Sequence, residues 1–261
     1  MKIKTTQYDG TFYKSENDSA LESATILVPM VLNIFTPPRA FVSQNTHPIN
    51  SVVDFGCGTG AWLSAFQKNG VEQIRGLDGE WVQKDFLKIS PKTFTHADFE
   101  QKIELPHKYD LAMSLEVAEH LSETAGAQFI DSLTAASNFV LFSAAIPFQG
   151  GANHVNEQWP SYWHTLFADR GYIAVDFLRR SIWYDTRIAI HYRQNIMLYV
   201  KKEAMHKITV PESDICLSMP PCSFVHHEHY FNLMNWKALI TILWKKCFFN
   251  FIKRNFRKRR K

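Results

Sequence analysis

The stretch from Ser51 to Phe66, SVVDFGCGTGAWLSAF, limits the folds open to this chain more than any other. A short β-branched run gives way to Gly56, Gly58 and Gly60, and apolar residues at helical spacing follow. A strand, a tight glycine turn and a helix in immediate succession open a βαβ unit, in which the turn lets backbone approach a ligand closely. Counted as G-x-G-x-x-A, Gly56, Gly58 and Ala61 fit a dinucleotide fingerprint, with Asp78 about 20 residues further on. Asp54 points elsewhere. A carboxylate two places before the first glycine suits a cationic ligand better than a pyrophosphate.

The rest of the chain continues the alternation. A helix is expected over Asn17–Phe35, closed by Pro37-Pro38. Strands are predicted at Ser51–Phe55, Gln73–Asp78, Lys92–Asp98, Tyr109–Leu115, Asn138–Ile146, Ile173–Leu178 and Gln194–Val200. Helices at Ala61–Lys68, Thr124–Ser137 and Tyr162–Arg170 separate them. This order predicts an α/β fold with a doubly wound, mainly parallel sheet of seven strands, an antiparallel edge open to the last of them, and a ligand at the strand C-termini. Three regions are expected: an N-terminal helix and linker (1–50), a ligand-binding domain (51–202), and a linker with a basic amphipathic tail (203–261).

S-adenosylmethionine is a ligand of the kind Asp54 favours, since it carries an ammonium and a sulfonium. VVDFGCGTG resembles the first motif of the class I S-adenosylmethionine-dependent methyltransferases, a Rossmann-like family. Three further segments agree in order. RGLDGE resembles that family's second-strand end, HADF the segment facing the adenine, and YDLAMSLEVAEHL the fourth strand and the loop beneath the reacting methyl. The resemblance implies a cofactor site of Asp54, Gly56, Cys57, Gly58, Gly60, Asp78, Asp98 and Leu115. In it Asp78 binds the ribose hydroxyls and Asp98 the adenine amino group. Read from the residues alone, Asp78 can also cap a turn and Asp98 can be a solvated loop acid. Cys57 reads as a small space-filling loop residue rather than a nucleophile. A nicotinamide-dependent dehydrogenase is the competing reading of the same glycines.

Methylating a hydroxyl requires alignment, exclusion of water, and a base or metal ion to take up the proton or its charge. LEVAEHL sets Glu116, Glu119 and His120 at i, i+3 and i+4, on one face if the turn is helical. E-x-x-E-H resembles the pattern of magnesium-binding class I O-methyltransferases, among them small-RNA 2′-O-methyltransferases and quinone-biosynthesis O-methyltransferases. That resemblance implies a Mg2+ ion held by Glu116, Glu119, His120 and His154, with Glu116, His120 and His154 catalytic. In metal-free relatives such a segment only shapes the pocket or caps the next helix. The stretch PFQGGANHVNEQWPSYW, Pro147 to Trp163, follows the fifth strand, and its Gly150-Gly151 pair allows a mobile lid. His154 is read as base or fourth metal ligand. Asn156, Glu157 and Trp159 are read as contacts to a polyhydroxylated acceptor, with the ring against an apolar sugar face. HVNEQWPSYW also resembles a segment of bacterial methyltransferases associated with surface-polysaccharide assembly, which implies O-methylation of a glycan or its precursor. An RNA 2′-O-methyltransferase and a catalytically inactive membrane-binding module are the two alternatives.

The net charge of +4 hides an asymmetry. Ten of the 29 Lys and Arg residues lie between Lys237 and Lys261, and no acid follows Glu228, so the rest of the chain is net acidic. An acidic body argues against nucleic acid as the partner. From Phe231, FNLMNWKALITILWKKCFFNFIKRNFRKRRK reads as a basic amphipathic helix on an anionic membrane surface; a helix packed on the body is the other reading. Four scattered cysteines form no disulfide framework, and Met1–Ser19 lacks an apolar signal region. The expected location is cytoplasmic, peripheral on the inner face of the cytoplasmic membrane. Cys216, Cys222, His226, His227 and His229 match no zinc spacing.

Overall fold

The computed structural model describes residues 10–35, 48–217 and 219–233. In chain order its elements are α1 (Gly10–Asn33), β1 (Ser51–Phe55), α2 (Ala61–Lys68), β2 (Gln73–Asp78), β3 (Phe94–His96), β4 (Leu111–Leu115), α3 (Glu123–Ala136), β5 (Phe139–Ser143), α4 (Pro160–Ala168), β6 (Tyr172–Val175), α5 (Phe177–Ile182), α6 (Ile190–Asn195), β7 (Met197–Lys201), β8 (Ile215–Cys216) and α7 (His227–Leu233).

The sheet runs β3-β2-β1-β4-β5-β7-β6-β8. It is mainly parallel, as expected: β1 to β5 run parallel, and β7 enters antiparallel between β5 and β6. It has eight strands rather than the expected seven, because β8 adds an antiparallel edge to β6. Two residues leave no periodicity to read, so β8 had no signal in the sequence. The order reverses between β1 and β4, which makes the space above their C-terminal ends the switch point where such sheets take ligands.

The starts of β3, β4, β5 and β7 fall later than expected, the first two for a local reason. Ser90 caps a 3-10 turn at Pro91–Thr93, which delays β3. Asp110 is held back from β4 because its Oδ2 accepts the N–H groups of Asn50 and Ser51 and the Ser51 hydroxyl, at 2.8 to 2.9 Å. That clasp sets β1 and β4 side by side, with Asp54 opposite Gly76 on one flank and Met113 on the other.

Alternation along the strands divides the core between the two faces. Val52, Leu111, Met113 and Leu141 meet α1 and α2 through Leu27, Val31, Leu63 and Phe66. Val53, Phe55, Ala112 and Phe142 meet α3 and α4 through Phe129, Ile130, Trp163 and Phe167. Each such side chain, fully buried, contributes roughly 1.5–3 kcal/mol. Neither expected boundary is a gap in packing. α1 lies in the first core, and the Thr209 N–H donates to the Ile34 carbonyl at 2.7 Å.

Residues 1–224 and 225–261 form two compact units. The amphipathic helix expected in the tail lies outside the described residues beyond Leu233. Among the described residues no helix is long and apolar enough to cross a membrane.

At the end of β6, Asp176 and Arg179 form a buried ion pair with bonds of 2.7 and 2.5 Å. Arg179 also donates to the Gln194 and Cys222 carbonyls, which ties α5 to α6 and to the segment after β8. Asp176→Ala leaves that guanidinium buried without its anion. The expected loss is about 3–5 kcal/mol in urea unfolding, and a loss under about 1 kcal/mol would contradict the structural role given to the pair.

Candidate active site

The glycine turn lies over the C-terminal ends of β1 and β2. The N–H groups of Gly56 and Cys57 both donate to the Leu77 carbonyl, at 2.8 and 3.0 Å, which bends the chain sharply after β1. The bend requires glycine at position 56, where φ is +89° and an added Cβ would fall 2.2 Å from Cγ2 of Val117. The turn therefore touches the loop that follows β4. Cys57 is buried and its thiol is pushed up, by burial first and then by Asp54, as befits a space-filling residue.

Asp78 stands at the end of β2 and receives the Gly58 and Gly79 N–H groups, each at 2.6 Å. Burial raises its carboxyl to about 6 even though those bonds, and one from the Trp81 side chain, pull the other way. Asp54 lies beside it, also buried, and is pushed well above the ordinary carboxylate range by burial and then by Asp78. Two buried carboxyls, one of which bears on the other's charge, make a crevice suited to a positive ligand. Leu115 closes β4 and is buried. Asp98 stands apart. It is exposed, and its Oδ1 accepts the Glu100 N–H at 3.0 Å.

The loop after β4 departs from the expected single helical face. Glu116 has φ +56°, its N–H bonded to the carbonyl and the hydroxyl of Ser143 at 3.0 and 3.1 Å. Only Ala118–His120 forms a turn, of 3-10 type. Glu116 still acts on Glu119, but it lies outside the group that Glu119 forms with His120 and His154 and enters an amide cluster. Its carboxylate accepts Gln149 Nε2 at 2.8 Å and Asn195 Nδ2 at 3.1 Å. Gln149 Oε1 in turn accepts Asn195 Nδ2 and Gln194 Nε2, at 2.8 and 3.2 Å.

Glu119 is fully buried, and neither of its carboxylate oxygens makes a hydrogen bond of sound geometry. Burial, and then Glu116, hold its carboxyl well above the ordinary range. Its ligand atoms and those of His120 and His154 lie within 4.8 Å of one another. One carboxylate and two imidazoles are a nitrogen-rich set. It does not fit magnesium, which takes oxygen donors, and resembles the sets that transition ions take. Glu116 is not among the ligand atoms that converge there, so the expected four-ligand Mg2+ set is not assembled, and no chemical step is assigned to that ion.

The loop from Pro147 to Trp159 is bonded along its length rather than hanging free as a lid. Val155 and Asn156 donate to the Glu119 carbonyl at 2.9 and 3.0 Å, and Gln158 to the Ala145 carbonyl at 3.2 Å. His154 Nδ1 lies 2.9 Å from Glu157 Oε1, and its ring meets that of His120 edge to face at 4.8 Å. Partial burial, then His154, holds the His120 imidazole below its ordinary value. Of the three residues read as acceptor contacts, Asn156 is buried with its amide against Gly126 in α3, and Glu157 is occupied by its own loop. Trp159 is 39% exposed. Phe148, 78% exposed at φ +70°, escaped the sequence reading, as did Gln149, Gln194 and Asn195. Phe148 follows Pro147 as an ordinary apolar residue, and the three amides come from distant segments.

A sheet that reverses at β1/β4, a glycine turn over the switch point and two buried acids at the strand ends define a doubly wound α/β protein with a ligand crevice at that point. A family model described as a methyltransferase domain matches residues 32–179. The chain belongs to that family, and it is an enzyme of the methyltransferase class. Among solved structures it is similar to an O-methyltransferase family protein from Burkholderia thailandensis, with 13% identity and a TM-score of 0.50 over 75% of this chain and 61% of that one. It thus spans about three fifths of that protein. It is also similar to a magnesium protoporphyrin IX methyltransferase from Synechocystis PCC 6803 solved with S-adenosylmethionine, with 17% identity and a TM-score of 0.50 over 74% of this chain and 86% of that one. No curated protein matches the sequence.

Gly56→Ala tests the contact between the two loops. The left-handed backbone and the Val117 clash together should lower stability by about 1–3 kcal/mol in chemical denaturation. Adding Val117→Ala should restore the steric part only. Full recovery in the double variant would show that the backbone at position 56 carries no strain.

Proposed function

We propose that this methyltransferase takes its methyl group from S-adenosylmethionine and transfers it to a hydroxyl of a sugar or glycan precursor. The observation that carries the donor is the pair of buried carboxyls, Asp54 and Asp78, beneath the glycine turn. Both gain from a nearby positive charge. When bound, S-adenosylmethionine supplies a methyl carbon activated by its sulfonium and open to in-line attack by oxygen. The Synechocystis neighbour holds that ligand on the same fold.

On this reading Asp78 accepts hydrogen bonds from the ribose hydroxyls, and the glycine turn lets backbone approach the nucleoside. Asp98 borders the adenine from its exposed turn. His154 takes the proton of the acceptor hydroxyl through Nε2. Glu116, fixed by the Gln149 and Asn195 amides, presents negative charge at the end of β4. Trp159 offers its exposed ring to the apolar face of the acceptor. The basic, aromatic-rich tail is assigned to an anionic membrane surface on the cytoplasmic side, where a lipid-linked glycan would be met.

Calorimetric titration with S-adenosylmethionine tests the donor site. Asp78→Ala should weaken binding at least about tenfold, the loss of a charge-assisted bond, and unaltered affinity would refute the assignment. Acidity gives a second test. The Asp78 carboxyl of the free protein is raised to about 6, so its stabilising contribution is present below the ordinary carboxylate value of about 3.9 and is lost as pH rises through about 6. Ligand binding needs the ionised form. Affinity should therefore increase between about pH 5 and 7, and a profile flat across that window would count against Asp78. For the acceptor, mass spectrometry of surface glycans with and without the protein should show a methyl ether lost. Unchanged glycans would refute the acceptor class.

A further inference from the structure

We propose that Glu157 is a positioning residue, which fixes His154 as the tautomer protonated on Nδ1 and leaves Nε2 free to take the proton of the acceptor hydroxyl. The inference rests on His154 being the base of the proposed reaction. It assigns Glu157 a role other than contact with the acceptor.

The argument begins with what the Glu157 carboxylate already holds. Its Oε2 accepts the Phe148 N–H at 2.8 Å, and its Oε1 accepts the Gly150 N–H at 2.8 Å and faces His154 Nδ1 at 2.9 Å. Backbone N–H groups only donate, so both oxygens must act as acceptors. With a backbone donor ending on each of its two oxygens, the carboxyl is arranged as an anion is. An ionised carboxylate donates nothing, so the proton in the 2.9 Å contact belongs to Nδ1. A neutral imidazole protonated there carries its lone pair on Nε2.

A second observation concerns what lies against Nε2. A Cβ built on Gly151 would fall 2.2 Å from that atom. Any side chain at position 151 would displace the imidazole or cover the basic nitrogen. Glycine is needed there for close approach to His154, which is a different reason from the lid flexibility that the Gly150-Gly151 pair implies.

The loop is also folded round this one carboxylate. Phe148, Gly150 and Asn153 all have positive φ, of 70°, 74° and 61°. Two of them are not glycine, and such backbone persists only where its surroundings hold it. The bonds from Phe148 and Gly150 to Glu157 hold the first two. In the step itself, the acceptor O–H breaks and its proton passes to Nε2. The imidazolium so formed stays hydrogen-bonded through Nδ1 to the Glu157 anion, which stabilises its charge.

The test needs no acceptor. Full-length protein carrying 15N-histidine is studied by long-range proton–nitrogen spectroscopy at about pH 8, above the ordinary imidazole pKa of about 6.5. The His154 signals are those missing from His154→Gln. In the wild type the expected result is a protonated Nδ1 and a bare Nε2. In Glu157→Gln the ratio of the Nδ1–H to the Nε2–H tautomer should fall about tenfold or more, with affinity for S-adenosylmethionine kept. A wild-type His154 protonated on Nε2, or an unchanged ratio in the variant, would overturn the proposal. The wild-type spectrum decides even if the variant does not fold. Failure of the wild type to bind S-adenosylmethionine would refute the donor reading instead, and the two failures are separate measurements.

Discussion

The placement of two carboxyls, Asp54 and Asp78, inside the molecule at the ends of neighbouring strands governs the rest of this structure. Burial raises both groups, and Asp78 raises Asp54 further. A fold keeps such a pair only if the cost is offset by bonds or by a ligand. Asp78 is offset in part by the turn it clasps, since the Gly58 and Gly79 N–H groups both end on it. The glycine turn is thus more than a passive cradle. It is held open by an acid that lies twenty positions away in the chain but one strand away in the sheet.

How much of this could be read in the sequence depended on the range of the forces involved. The β1–turn–α2 unit was legible because its chemistry is local: a β-branched strand, glycines where the chain must turn, and apolar residues at helical spacing. The identity of Asp78 was legible from its place at the end of β2, but not its bond to Gly58, which depends on strand pairing. Glu116 was misplaced because E-x-x-E-H spacing assumes helix. Its left-handed backbone is imposed by Ser143 on the neighbouring strand, and no residue near position 116 announces it. The amide cluster was invisible for the same reason, since Gln149, Gln194 and Asn195 converge only once β5 and β7 pair.

The loop after β5 gives the same lesson in one residue. Polar and aromatic residues interleaved from His154 to Trp159 pointed to an outward, ligand-facing strip. The structure turns half of that strip inward. Glu157 and Asn156 spend their side chains on the loop and on α3, and the ring left accessible at Trp159 is joined by Phe148. A loop can display an aromatic ring in a strained conformation only if something beneath it is well satisfied, and the carboxylate that satisfies it here is the one that orients His154.

These two centres are joined by a single missing side chain. β1 and β4 are neighbours in the sheet, with Asp54 opposite Met113, so the acids below the turn and the residues after Leu115 rise from adjacent strands about 5 Å apart. Adjacent strands alone do not bring their loops into contact, because loops usually splay. Here they meet because Gly56 has no Cβ, and the space it leaves is filled by Val117. Val117 is the residue between Glu116, held by the amide cluster, and the short turn that carries Glu119 and His120. Packing it against Gly56 fixes the height of that turn relative to the donor crevice. On the proposed reading, this contact helps to set the spacing between the methyl donor over Asp54 and Asp78 and the base on the loop after β5. The backbone bonds from Val155 and Asn156 to the Glu119 carbonyl then carry that setting on to His154. Since displacement at carbon is sensitive to alignment, the small residue at position 56 would matter to the proposed transfer as well as to the turn.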